Sequence, residues 1–121
     1  MKYKSNIMAI GSMALDFAGE NMLILFGEKA NSGLEDYSII IKTPKNPITI
    51  HPGDIFIIGE ETYTITAVGE RASELFSTLG HCTLCFDAAQ EARLPGSIHL
   101  KGNYPSCEVG AVISISESRD G

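Results

Sequence analysis

The sequence predicts an all-β chain: a single small barrel-like domain over residues 1–121, with one short helix near residues 72–79. Three observations carry this reading. Short apolar runs rich in β-branched residues recur along the chain. Turn residues separate several of them at a spacing of about ten residues, as in barrels and sandwiches. Only one stretch has a convincing helical stripe. The length suits one domain, and a chain of this size buries roughly two-thirds of its unfolded surface, enough for a core without staples.

Each element has its own local reason. Lys2 to Ile10 alternates loosely, with Tyr3, Ile7 and Ile10 apolar, and reads as a first strand. Gly11 breaks it, and Ala14 to Phe17 extends or turns. Asn21 to Gly27, NMLILFG, has five apolar residues in a row before a Gly and reads as a strand covered on both faces. Glu28 to Gly33 is polar and reads as a loop. Tyr37 to Lys42 contains three isoleucines and is expected as a strand. Pro44 and Pro47 interrupt regular pairing. Ile48 to Ile50 is expected as a short strand, followed by the turn His51-Pro52-Gly53-Asp54. Ile55 to Ile58 and Glu61 to Val68 flank a Gly59-containing hairpin loop; Tyr63, Ile65 and Ala67 should share one face of the second strand. In Ala72 to Leu79, Leu75, Phe76 and Leu79 form one apolar stripe, and Gly80 stands where a helix C-cap needs positive φ. Cys82 to Phe86, Ser97 to Leu100 and Ala111 to Ile115 complete the strands, with a charged loop over Asp87 to Arg93 and a fraying end over Ser116 to Gly121.

The charge balance excludes some partners. Nine Lys and Arg against fifteen Asp and Glu give a net charge of −6, with no basic block, so a nucleic-acid backbone is a poor ligand. No run reaches the roughly 20 apolar residues that span a bilayer. The N-terminal stretch Ile7 to Leu15 is interrupted by Gly11 and Ser12 and lacks a clear cleavage motif, so it reads as mature fold rather than leader. Three cysteines, an odd number, fit a reducing compartment, and a cytoplasmic location is expected.

Six words then carry a family resemblance: MLILFGE at Met22–Glu28, LEDY at Leu34–Tyr37, IHPGD at Ile50–Asp54, YTITAVGE at Tyr63–Glu70, LGHCTLCFD at Leu79–Asp87 and LPGSIHL at Leu94–Leu100. In this order and spacing the chain resembles the glucitol/sorbitol-specific enzyme IIA component of the bacterial phosphoenolpyruvate-dependent sugar phosphotransferase system. The resemblance implies a small, mostly β, cytoplasmic domain. It implies a phosphoryl relay from the histidine-containing phosphocarrier protein, through a IIA histidine, to a IIB or IIC permease component. It also exposes a departure. The family's phosphoryl-accepting His lies four residues beyond the Tyr of the LEDY-like word, and the count from Tyr37 gives Ile41. A second His often found two positions later would fall at Thr43. Either another histidine serves, or the chain is a non-catalytic binding or regulatory paralogue.

Three histidines are available. A phosphoryl acceptor needs a neutral imidazole with one nitrogen free and the other oriented by a hydrogen bond. His81 follows the helix C-cap, where carbonyls rather than N–H groups are presented; it is a turn nucleophile or a capping residue. His99 alternates with Ile98 and Leu100 and is expected on a solvated strand face beside Ser97 and Lys101. His51 sits in an exposed turn. His81 and His99 are the candidate catalytic residues; both lie inside family words, so a supporting role around the Ile41 position is equally open.

Other chemistries have weak support. His81, Cys82, Cys85 and Cys107 invite a metal reading, but Cys82 and Cys85 are three apart on a strand and should diverge, so buried thiols are expected and no metal site. Glu35, Asp36, Asp54, Glu60, Glu61 and Asp87 read as solvated surface or turn residues. No glycine-rich phosphate loop, nucleophile elbow or paired-histidine zinc motif is present, and no cofactor is indicated.

Overall fold

A computed structural model describes residues 1–29 and 33–118. The expected loop at Glu28–Gly33 and the expected fraying end at Ser116–Gly121 lie partly outside the described residues. Among the described residues nine strands are present: β1 (Tyr3–Asn6), β2 (Ala9–Ile10), β3 (Met22–Gly27), β4 (Ser38–Ile41), β5 (Ile55–Ile58), β6 (Glu61–Val68), β7 (Cys82–Cys85), β8 (Ser97–Lys101) and β9 (Val112–Ser116). One α-helix, α1, spans Ala72–Leu79, and 3-10 turns occupy Ala14–Glu20 and Glu35–Tyr37.

The strands form one sheet in the order β1-β9-β5-β6-β8-β7-β3-β4-β2. Its two edge strands, β1 and β2, are separated in the chain only by Ile7 and Met8. Two residues span at most about 7 Å, so the sheet must curl until its edges almost meet. The link is pinned on both sides: Ile7 N–H donates to Ala111 O beside β9, and Met8 N–H donates to Ile40 O in β4, each at 2.8 Å. The expected single strand over Lys2–Ile10 is therefore two short strands that serve opposite edges. Most pairings are antiparallel, but β3–β4 and β7–β8 are parallel.

Alternation fills the inside of the curl. Tyr63, Ile65 and Ala67 are buried on β6 while Thr62 and Thr64 are exposed, as the period of two requires. Leu23 and Leu25 of β3, Ile39 and Ile41 of β4 and Phe56 and Ile58 of β5 are all fully buried. Each such side chain contributes on the order of 1.5–3 kcal/mol through burial.

α1 covers one opening of the curl. Its Phe76 is fully buried and meets Tyr3 edge-to-face at 5.0 Å. Its two serines hold the segment over residues 48–50, which was expected to be a strand and is irregular instead. Ile48 N–H donates to Ser77 Oγ at 2.9 Å, and Ile50 N–H donates to Ser73 Oγ at 2.8 Å. Pro47 and the flanking turn leave no strand beside this segment, so the helix hydroxyls accept the bonds a ladder would have made.

Gly80 ends α1 with φ +65°, and its N–H donates to Phe76 O at 2.8 Å. A Cβ there would lie 2.7 Å from Gly27 Cα, so two glycine backbones are in direct contact where α1 hands over to β7. We expect Gly80→Ala to cost about 2 kcal/mol or more in urea unfolding, because left-handed strain adds to a backbone clash. Gly53→Ala, with φ +94° and nothing within 4 Å of the new methyl, should cost only the strain, about 1 kcal/mol.

Candidate functional site

The sheet fixes where each candidate stands. Ile41 pairs with Gly27 and is fully buried in the core. Its neighbour Ile40 pairs with Phe26 and points the other way, to the outer face. On the far side of β3, the β3–β7 register sets Leu25 opposite Cys82, which brings His81 opposite Phe26. Ile41 and His81 thus flank β3 on strands about 10 Å apart, with side chains on opposite faces. The position at which the family resemblance places its acceptor is packed with hydrocarbon.

His81 is half-buried on the outer face. Its ring stacks on Phe26, centroids 4.3 Å apart and planes 26° apart. Nδ1 lies 3.2 Å from Leu25 O. A carbonyl oxygen only accepts, so Nδ1 carries the proton and Nε2 holds a lone pair when the ring is neutral. Among the described residues Nε2 has no partner. The His81 backbone meanwhile closes the helix end, its N–H reaching Leu75 O at 3.4 Å. The backbone thus takes part in the helix end while the ring is oriented separately by β3.

His99 is placed differently from the expectation. The solvated strand face does not exist: Ser97, Ile98, His99 and Leu100 are all buried, because the 86–96 connection folds over the outer side of β8. Nδ1 lies 2.8 Å from Asp87 Oδ1. Nε2 lies 3.1 Å from Ser97 Oγ and receives the Arg93 N–H at 3.4 Å. The Ser97 hydroxyl is itself held by Leu94, 2.9 Å from its carbonyl and 3.3 Å from its N–H. Aspartate, histidine and serine follow one another as in a hydrolase, but no group here is free to react. The serine has no exposed surface, and both imidazole nitrogens are occupied. The network fastens the connection to the sheet.

Asp87 is an exposed loop carboxylate, as expected, and it also ties the connection to the buried imidazole. Partial desolvation opposes its ionisation. The hydrogen bonds from His99 and from the Ala89 N–H outweigh that, aided by the electrostatic influence of His99 and Arg93, and hold the carboxyl below its usual range. The parallel β7–β8 pair sets Cys85 opposite His99, which carries Asp87 to the imidazole. His51 is exposed at its turn, its N–H donating to Asp54 Oδ2 at 2.9 Å. Cys82 and Cys85 are buried thiols, and burial pushes both up from their ordinary range.

The geometry has relatives. The family model for glucitol/sorbitol-specific IIA components of the PTS, the sugar phosphotransferase system, matches residues 2–114. This chain belongs to that family. It is 40% identical over 103 residues to the glucitol/sorbitol-specific EIIA components of Escherichia coli and Shigella flexneri, covering 85% of this chain and 84% of each relative. Its fold matches the crystal structure of a PTS system IIA component from Enterococcus faecalis with a TM-score of 0.81 and 30% identity, over 94% of this chain and 99% of that one. The six sequence words and the IIA assignment they supported agree with these matches. Among the described residues no helix is long and apolar enough to cross a membrane.

Removing the imidazole at the anchored connection gives a pH-dependent test. His99→Leu removes the imidazole donor of the Asp87 carboxylate; because that carboxylate can rehydrate, the loss should be about 1–2 kcal/mol at neutral pH. The Asp87 carboxyl is held low in the folded state, so its stabilisation is complete above the ordinary carboxylate range and is lost as pH falls through its folded value. Urea unfolding of wild type and variant should therefore converge in acid; a gap that is constant with pH would refute the pairing.

Proposed function

We propose that this chain is a IIA phosphocarrier of the glucitol/sorbitol type in which His81 Nε2 carries the phosphoryl group. The donor is the histidine-containing phosphocarrier protein, the acceptor is the IIB or IIC component of the permease, and the relay works in the cytoplasm. Family membership supports the relay. The single observation that supports His81 is the Nδ1 contact with Leu25 O at 3.2 Å, which leaves Nε2 as a lone pair on a half-exposed ring.

The step balances without a proton transfer. The Nε2 lone pair attacks phosphorus on the donor's phosphohistidine. The donor N–P bond breaks, and its electron pair returns to the donor imidazole. The His81 ring then carries the phosphoryl group on Nε2 and a proton on Nδ1. Positive charge that develops in the ring strengthens the Nδ1–H bond to the Leu25 carbonyl, a charge-assisted contact already in place. Phe26 holds the ring plane, so little reorganisation is needed when a partner docks. His99 cannot play this part without breaking the two hydrogen bonds that hold its buried ring. Ile41 has no nitrogen to offer.

The test is reconstitution with phosphoenolpyruvate, enzyme I and the phosphocarrier protein, read by intact mass. Wild type and His51→Gln should each gain one acid-labile phosphoryl group, and His81→Gln should gain none while keeping its unfolding midpoint. A phosphorylated His81→Gln protein would move the acceptor elsewhere. A wild-type protein that binds the phosphocarrier but takes no phosphoryl group would end the relay reading altogether.

A further inference from the structure

The chain has six lysines and a net charge of −6, and five of the six lysines line one cavity. The cavity, of about 390 Å³, opens at the end of β3 and β4 and is lined by Lys2, Lys4, Lys29, Lys42 and Lys45 together with Thr43 and Asn46. Lys2 is neutralised, its Nζ 2.7 Å from Asp54 Oδ2. Among the described residues the other four form no ion pair. The one carboxylate in the lining, Glu28, is held by the Thr43 N–H, which donates to its Oε2 at 2.8 Å. Four ammonium groups against one carboxylate leave a local surplus of three positive charges on a protein that is otherwise acidic.

Like charges brought together cost free energy unless something offsets them. The sequence has fifteen Asp and Glu, yet among the described residues only Asp54 is ion-paired to any of these five lysines, through Lys2, and only Glu28 joins them in the lining. The cavity is also short of acceptors and rich in donors. The Asn46 amide adds two N–H groups to the ammonium groups. The Thr43 hydroxyl is buried against Gly27 and has no partner there, so turning it toward the cavity sacrifices no hydrogen bond. The volume lies within the range of small-molecule sites. We infer that this cavity binds a small phosphomonoester, whose dianionic oxygens are met by Lys4, Lys42 and Lys45 and whose organic part rests on Pro44 and Ile48. The site is separate from the His81 relay and does not depend on it.

Calorimetric titration of the full chain at constant ionic strength, with glycerol phosphate and with inorganic phosphate as separate probes, tests this. Saturable one-to-one binding with a dissociation constant below about 1 mM is expected. Tighter binding of glycerol phosphate than of inorganic phosphate identifies the ester as ligand; the reverse order means the cavity takes free phosphate and overturns the ester assignment. Lys42→Ala with Lys45→Ala should weaken binding at least about tenfold, as expected for lost charge-assisted hydrogen bonds. Thr43→Val should weaken it a few-fold. Lys101→Ala, the sixth lysine and outside the cavity, should change nothing. His81→Gln should also bind normally, which separates this result from the fate of the relay. Unsaturable binding, equal response to chloride and phosphate, or an equal effect of Lys101→Ala would reduce the cavity to a diffuse field and overturn the proposal. Binding of polyglutamate with no binding of either phosphate would instead make it a docking face for an acidic protein, and would overturn it as well.

Discussion

The fold depends on a two-residue link. Ile7 and Met8 connect the first and last strands of a nine-stranded sheet, and their N–H groups are fastened to opposite edges. A flat sheet of this width would hold those edges roughly 40 Å apart at normal strand spacing. The link therefore sets the curvature, and the curvature creates an inside to be filled. Ile7 itself is almost fully buried, so the connection also contributes to the core it forces into being. The helix then closes an opening, with Phe76 against Tyr3 and two serine hydroxyls standing in for a missing strand neighbour.

The site follows from the same geometry. β3 runs between β7 and β4, and its last residues meet the helix terminus at the Gly27–Gly80 contact. That contact draws the start of β7 against Phe26 and so stacks the His81 ring on it. Pleating sends Ile41 inward on one side of β3 and His81 outward on the other. The acceptor position implied by the family resemblance and the histidine that is poised here thus share one strand as neighbour but face different environments. The lysine-lined cavity opens at the same end of β3 and β4, and His81 is not part of its lining.

Much of this was legible in the residues. The strands over 55–58 and 61–68, the helix over 72–79 and its Gly80 cap follow from period and turn chemistry, and the structure places them where the sequence does. The oriented state of His81 was half legible. Its backbone position at the helix end could be read, but the ring's partners belong to β3, more than fifty residues earlier. His99 was misjudged because alternation alone says which side a residue faces, not what covers that side. The cover is the 86–96 connection of a parallel strand pair, and the sequence offered no means of choosing parallel over antiparallel pairing there. The segment over residues 48–50 failed for the opposite reason: its strand-like composition was real, but the available neighbour was a helix. The lysine cluster is spread over residues 2–45 and becomes a cluster only when β1 and β4 are brought together.

The place of β9 in the sheet bears on how the chain reaches this state. The ninth strand lies between β1 and β5, pairing Tyr3 with Ile115 and Phe56 with Ile115 from its two sides. During synthesis, then, β1 and β5 both wait for residues made long after them. Until those residues emerge, β1 has no neighbour and β5 has only β6, leaving unsatisfied strand edges on a half-built curl. Such long-range pairings make folding slow and expose sticky edges while it proceeds. The curl cannot close before β9 is made, and its most vulnerable interval is the time spent waiting for those five residues.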